Sequence, residues 1–157
     1  MGISLFKILR RLAYLIVISV FAFIELGRAG NVRRTFEFFT YTTGQPAVED
    51  RMLLKAASEE TNLRYYLEEV LLGPVSVDFA PLVTKGTRLR SLMLRDGTVY
   101  ADLSGEAALP VGRDREVFDA LLALNRGIRR NFLSISDVKL FINGNEVFFE
   151  EFREIFG

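Results

Sequence analysis

Residues 87–109 read TRLRSLMLRDGTVYADLSGEAAL, and this stretch decides the fold. Asp96-Gly97 is a strong short-range hairpin signal, because a two-residue primed turn needs positive φ, which Asp and Gly tolerate. Upstream of the turn, Leu89, Ser91 and Met93 fall on one face of a period-2 strand, with Arg88, Arg90, Leu92 and Leu94 on the other. Downstream, Val99, Ala101 and Leu103 alternate with Thr98, Tyr100, Asp102 and Ser104. A lone hairpin is marginal in water, so the flanking segments must bring a helix or further strands against its apolar face.

Before the hairpin, Thr35–Thr42 (TFEFFTYT) is dense in aromatic and β-branched residues and reads as a strand. Phe36, Phe38 and Thr40 share one face; Glu37, Phe39 and Tyr41 share the other. Thr43-Gly44-Gln45-Pro46 supplies turn chemistry. A second strand is expected over about Asp50–Ala56, although the same residues could begin a helix. Leu63, Tyr66, Leu67, Val70 and Leu71 then recur as one helical stripe. Glu59 and Glu60 suit the positive end of its dipole, and Ser58 is a candidate cap. Gly73 followed by Pro74 stops this helix, since Gly takes left-handed φ and Pro cannot continue the hydrogen-bond ladder.

After the hairpin, a loop with Pro110 and Gly112 leads to a second helix starting near Asp114. Its stripe is Val117, Leu121, Leu124 and Ile128, widened by Phe118, Leu122 and Asn125. Gly127 inside this pattern costs about 1 kcal/mol relative to Ala, and either eases close packing or ends the helix early. Asn125 is a buried-polar candidate that needs partners, most naturally backbone groups of a neighbouring loop. Asp137–Ile142 reads as a strand, and Asn143-Gly144 is another hairpin turn leading into Glu146–Phe149. Phe149, Phe152 and Phe156 space as a short closing stripe or an exposed partner site.

The element order is β-β-α-β-β-α-β-β. This predicts an α/β (α+β) class with a small mixed sheet and two amphipathic helices on one face, preceded by an N-terminal membrane helix or signal. At 157 residues the chain holds one core. The division expected is a signal anchor or signal peptide over 1–29 and an α/β domain over 30–157.

The N-terminal expectation rests on Leu12–Ile24, thirteen residues without a charge, after Lys7, Arg10 and Arg11. Extended to Ile3 and Gly27, the run reaches spanning length, with the basic side chains at the cytoplasmic headgroups. An uncleaved anchor over residues 3–27 is the first choice. It places residues 31–157 outside the cytoplasm on a single-pass inner or cytoplasmic membrane protein. A signal cleaved after Ala29, giving a periplasmic or secreted chain, is the second, and a buried core helix the third.

Composition narrows the chemistry. Twenty basic and twenty acidic residues give no net charge; residues 1–30 carry +3, leaving −3 on residues 31–157, so no nucleic acid partner is expected. The same charge turns the aromatic strand from a base-stacking platform into core and edge packing. There is no Cys and no His, which removes disulfides, thiol catalysis, zinc–thiolate sites and the commonest general base. Glu59 and Glu60 read as dipole complements before they read as an acid–base pair. Asp78 and Asp102 would need to meet about 5–9 Å apart for glycoside hydrolysis. Glu150, Glu151 and Glu154 match no calcium loop, Gly86 and Gly97 no phosphate loop, and Arg129-Arg130 is too short a patch for nucleic acid. No catalytic residue, cofactor or metal is expected, and no small-molecule ligand.

Leu71-Leu72-Gly73-Pro74, Lys85-Gly86-Thr87, Asp96 to Ser104 (DGTVYADLS), Leu124-Asn125 and Val138 to Gly144 (VKLFING) together resemble the GerMN domain, the sporulation and spore germination domain. The resemblance covers about Arg34 to Phe149. It implies an extracytoplasmic domain on a signal peptide or lipid anchor, used in envelope and channel assembly, with a fold like ring-building motifs. It implies no catalytic set. One copy stands here rather than two, no lipidated Cys is present, and Gly127-Ile128 replaces the Thr-Leu pair that often follows the helix Asn. Gly73, Pro74, Asp96, Gly97, Asp102, Asn125, Asn143 and Gly144 are accordingly expected to be structural. The function expected is a non-catalytic, membrane-tethered or secreted assembly domain whose partners are envelope proteins or itself. The alternative is an envelope ligand-binding or hydrolytic protein acting on cell-wall glycan or peptide through carboxylates.

Overall fold

The computed structural model of the chain describes residues 7, 10–21, 30–111 and 117–149. The elements are β1 (Asn31–Thr40), β2 (Pro46–Leu54), α1 (Glu59–Leu72), β3 (Phe79–Ala80), β4 (Leu89–Arg95), β5 (Thr98–Leu103), a 3-10 turn (Gly105–Ala108), α2 (Val117–Asn131), β6 (Asp137–Ile142) and β7 (Asn145–Glu146). They form two sheets, ordered β2-β1-β3 and β4-β5-β6-β7. The first is antiparallel; the second is mixed, because β5 and β6 run parallel across the α2 crossover.

The expectation of a single sheet with both helices on one face is corrected. Each helix touches both sheets: α1 meets β2 and β4, and α2 meets β1 and β6. One core cluster unites Phe36 and Phe38 of β1, Leu63, Tyr66 and Leu67 of α1, Val99 and Leu103 of β5, Leu121 and Leu124 of α2 and Leu140 of β6. Two short sheets share one core because the amphipathic stripes of the helices fill the space between them.

Local choices explain the elements. Asp96 (φ 50°) and Gly97 (φ 75°) make the tight β4–β5 turn. Val99, Ala101 and Leu103 are fully buried, in strict alternation. On β4 the alternation breaks: a register shift between Leu89 and Ser91 lets both Leu89 and Leu92 face the core. The segment expected over about Asp50–Ala56, as strand or helix start, is a strand paired with β1, and it begins earlier and ends earlier, at Pro46–Leu54. Ser58 caps α1 by accepting from the Thr61 amide at 3.1 Å, and Gly73 (φ 93°) ends it. Gly127 lies inside regular α2, and a methyl there would overlap the hydroxyl of Tyr66. Tyr66 is buried and stacked on Phe36 at 4.8 Å, so the ring has no room to yield. Of the tail, Phe149 packs beside Phe118; Phe152 and Phe156 lie outside the described residues, as does the start of α2 near Asp114.

The expectation for the N-terminus is corrected as well. No helix among the described residues is long and apolar enough to cross a membrane. The described helical run 10–21 extends about 18 Å, against a hydrocarbon core of about 30 Å. The anchor over residues 3–27, the membrane as partner and the single-pass placement of residues 31–157 outside the cytoplasm are therefore not supported. The run is not a buried core helix either, since residues 10–21 are all exposed. The flanks of the expected span and the cleavage site after Ala29, on which the periplasmic or secreted alternative depends, lie outside the described residues.

Candidate functional site

Three stretches of the motifs, Lys85–Thr87, Asp102–Ser104 and Ile142–Gly144, converge where β4 begins, β5 ends and β6 turns into β7. Ser104 and Arg88 bond each other twice: the Ser104 amide donates to the Arg88 carbonyl and the Arg88 amide to Ser104 Oγ, both at 2.9 Å. Asp102 Oδ1 accepts the Gly144 amide at 3.0 Å, and its Oδ2 faces the Arg90 guanidinium at 3.3 Å. Arg90 also donates to Asn143 Oδ1 at 3.2 Å, while the Asn143 amide donates to the Leu103 carbonyl at 2.9 Å. Asn143 (φ 51°) and Gly144 (φ 80°) take left-handed backbone, which turns the Gly144 N–H toward Asp102. Thr87, buried, ties its hydroxyl to the Thr84 carbonyl at 2.7 Å.

These bonds shape an open groove of about 680 Å³ lined by Arg88, Leu89, Arg90, Ser104, Gly105, Glu106, Leu109 and Asn143. Its carboxyl is Glu106. Hydrogen bonds from the Ser104 side chain and from its own backbone amide, with Arg88 nearby, hold that carboxyl below the ordinary glutamate range. A general acid needs the opposite shift.

The other expected site residues are not gathered here. Asp96 and Gly97 sit at the far end of the β4–β5 hairpin, where the Gly97 carbonyl accepts the Ser136 amide at 2.9 Å. Gly73 and Pro74 lie at the end of α1. Asn125 is half-buried in α2, and its side chain makes no hydrogen bond recorded among the described residues. Asn131, six residues on, makes the helix-to-neighbour contact. Its side chain accepts the Thr35 amide at 2.9 Å and donates to the Thr35 carbonyl at 2.7 Å and the Gly127 carbonyl at 2.8 Å. Asn131 thus fills the edge of β1 that β2 leaves open.

Sequence reading also passed over a part-buried ion pair on the inner face of β2. Arg51 Nε bonds Glu49, its Nη1 reaches Glu69 Oε2 at 2.9 Å, and its Nη2 donates to the Gly73 carbonyl at 2.7 Å. The guanidinium lies 4.8 Å from the Phe36 ring centroid. Glu49 in turn accepts the amides of Val75 at 3.1 Å and Ser76 at 3.2 Å. Burial pushes the Glu49 carboxyl up, but the bonds from Arg51, Ser76 and Val75 outweigh it, and its pKa ends below the usual 4.5. The available signal was a charged pair at i, i+2 on the strand face that also carries Leu53.

The candidate acid–base pairs separate. Glu59 accepts the Ser134 hydroxyl and Glu60 the Leu94 amide, each holding a different element to the start of α1. Asp78 precedes β3 of the first sheet, whereas Asp102 is in β5 of the second. Arg129 pairs with Asp137 at 3.2 Å. Glu150, Glu151 and Glu154 lie outside the described residues. Among the described residues no group of three or more His, Cys, Asp or Glu is placed to hold a metal ion. Tyr66 is no base: burial drives its phenol far above the ordinary 10.

Two small sheets bridged by two helices, with polar motif residues spent on strand ends, define a compact α/β module. The chain belongs to the GerMN domain family: residues 38–148 match the family described as Germane, sporulation and spore germination. The first GerMN domain of the sporulation protein GerM from Bacillus subtilis is similar in structure, with a TM-score of 0.56, 25% identity, and coverage of 74% of this chain and 86% of that one. The tandem GerMN domains of the same protein match with a TM-score of 0.54 and 14% identity over 73% of this chain and 40% of theirs, a likeness of fold alone. No curated protein matches in sequence.

Proposed function

We propose that residues 30–157 form a non-catalytic protein–protein assembly domain of the bacterial cell envelope. The observation that carries this reading is how the motif residues are used. Asp102, Ser104, Asn143 and Gly144 bond one another's strands and turns, and the motif presents no free base or nucleophile to the groove. On this reading Gly73, Pro74, Asp96, Gly97, Asp102, Asn125, Asn143 and Gly144 hold the fold, and the surface they hold together is the functional part.

Hydrolysis of cell-wall glycan or peptide requires two converging carboxylates and a water-positioning group in a concave site. The groove offers Arg88 and Arg90 with one carboxylate, Glu106. The test is sedimentation of the full chain over a concentration series, joined to crosslinking and pull-down from envelope extract with the captured protein identified. A stable self-contact or a reproducible partner is expected. A chain that stays monomeric and retains no partner overturns the reading.

A further inference from the structure

Strand β2 is a nine-residue strand at the edge of the first sheet. Because Thr35 gives both its backbone groups to Asn131, Thr35 and Asp50 form a pair that is not hydrogen-bonded to each other. The ladder alternates, so Val48, Asp50, Met52 and Leu54 all point their N–H and C=O away from β1. The flanking bonds, from the Thr40 amide to the Gln45 carbonyl and from the Lys55 amide to the Gly30 carbonyl, have the same phase. Among the described residues no hydrogen bond reaches these outward amides. Val48, Met52 and Leu54 are 52%, 62% and 67% exposed.

We propose that this edge pairs antiparallel with β2 of a second copy of the chain, in the register that sets Val48 opposite Leu54 and Asp50 opposite Met52. The proposal rests on the assembly reading above and supplies its partner. The sequence of the edge argues for self-pairing. A two-fold axis through Arg51 matches all four outward residues with one another and puts an apolar pair at each end. Pro46, which lacks an N–H, falls outside the paired segment.

The charges near the axis are already answered within each copy. Asp50 is drawn toward β1 by Arg33 at 2.5 Å and Thr35 at 2.6 Å, away from the incoming strand. Arg51 points to the other face and is bound by Glu49 and Glu69. Pairing of one strand edge buries less than a standard interface, so the dimer is weak and concentration-dependent.

The absence of Cys makes the register directly readable. Two full-length variants, Val48→Cys and Leu54→Cys, are oxidised separately and mixed, after melting curves show both folded like the parent. In the proposed register positions 48 and 54 of different copies lie within disulfide range, whereas 48–48 and 54–54 are about 20 Å apart. The mixture is expected to crosslink several-fold faster than either variant alone. Equal rates in all three samples, or no crosslink in any, overturn the proposal. A parent chain that sediments as a dimer without the preferential 48–54 crosslink also overturns it, while leaving the assembly reading intact. A monomeric chain that holds no partner overturns both.

Discussion

Strands β2 and β4 are both sheet edges, yet only one of them is closed. On β4 the pair Arg95–Thr98 flanks the two-residue turn, so the ladder turns the Leu94 N–H outward, where Glu60 of α1 accepts it at 2.9 Å. The shift between Leu89 and Ser91 then breaks the edge one turn further back. β3 and β7 are two residues long. β2 has nine residues, a regular register along its whole length and, among the described residues, no side chain hydrogen-bonded to its outer edge. The difference teaches that closing an edge takes a polar group from a neighbouring element. Here α1 supplies one to β4, α2 supplies one to β1, and neither helix reaches past β2.

The inner face of β2 is the counterpart of its free edge, and removing its anchor has the largest expected effect. Arg51→Ala leaves Glu49 mostly buried without its cation and removes a donor from the end of α1. It should cost about 3–5 kcal/mol, measured as a shift of the urea midpoint. Combining Arg51→Met with Glu49→Gln should recover part of that loss, because the uncompensated charge is gone. Acid reads the same pair. The Glu49 pKa is lowered by folding, so its contribution is complete above the usual 4.5 and is lost as the pH falls through the folded value. The parent should lose stability below about pH 4.5, and Glu49→Gln should lose less over that range. An unchanged acid profile in Glu49→Gln would show that other carboxylates carry the loss.

Asn131→Ala tests whether a side chain is what closes β1. It strands the Thr35 amide and leaves the Thr35 carbonyl only the long bond from the Tyr66 hydroxyl, at a cost of about 1–3 kcal/mol. Hydrogen exchange at the Thr35 amide should accelerate more than at neighbouring β1 amides that pair with β2. Protection that persists would mean water or a shifted α2 replaces the amide.

Much of this was legible where the signal is local. The Asp96-Gly97 and Asn143-Gly144 turns, the Ser58 cap, the Gly73-Pro74 stop and the alternation of Val99, Ala101 and Leu103 each depend on a few adjacent residues. The order of motifs from Leu71 to Gly144 likewise carried the family. What escaped depends on distant partners. Nothing local marks Arg51 and Glu49 as a pair, because their partners, the end of α1 and the Val75 and Ser76 amides, come from more than fifteen residues away. Asn125 lies on the helical stripe and Asn131 at its end, and only the docking of α2 on β1 decides which one bonds. A helical period could not reveal that two sheets, not one, share the core. An apolar run at residues 12–24 resembled a span because hydropathy reports composition, whereas the described helical stretch, residues 10–21, is shorter than a crossing requires.

The smallest expected effect comes from opening β4. Glu60 is exposed, so its bond to Leu94 is worth only about 0.5–1.5 kcal/mol, and part of the change in Glu60→Ala is loss of a favourable charge in the first turn of α1. The diagnostic readout is therefore exchange rather than stability. The Leu94 amide should lose protection while Met93, paired with Tyr100 across the ladder, keeps it. Freed of Glu60, the β4 edge still ends at the irregularity near Leu89, which leaves too short a regular stretch to pair as β2 does. Glu60→Ala should therefore leave the concentration dependence of sedimentation where the parent has it. If it instead created a new self-association, length and regularity would not be what separates the two edges, and a single carboxylate would be enough to close one.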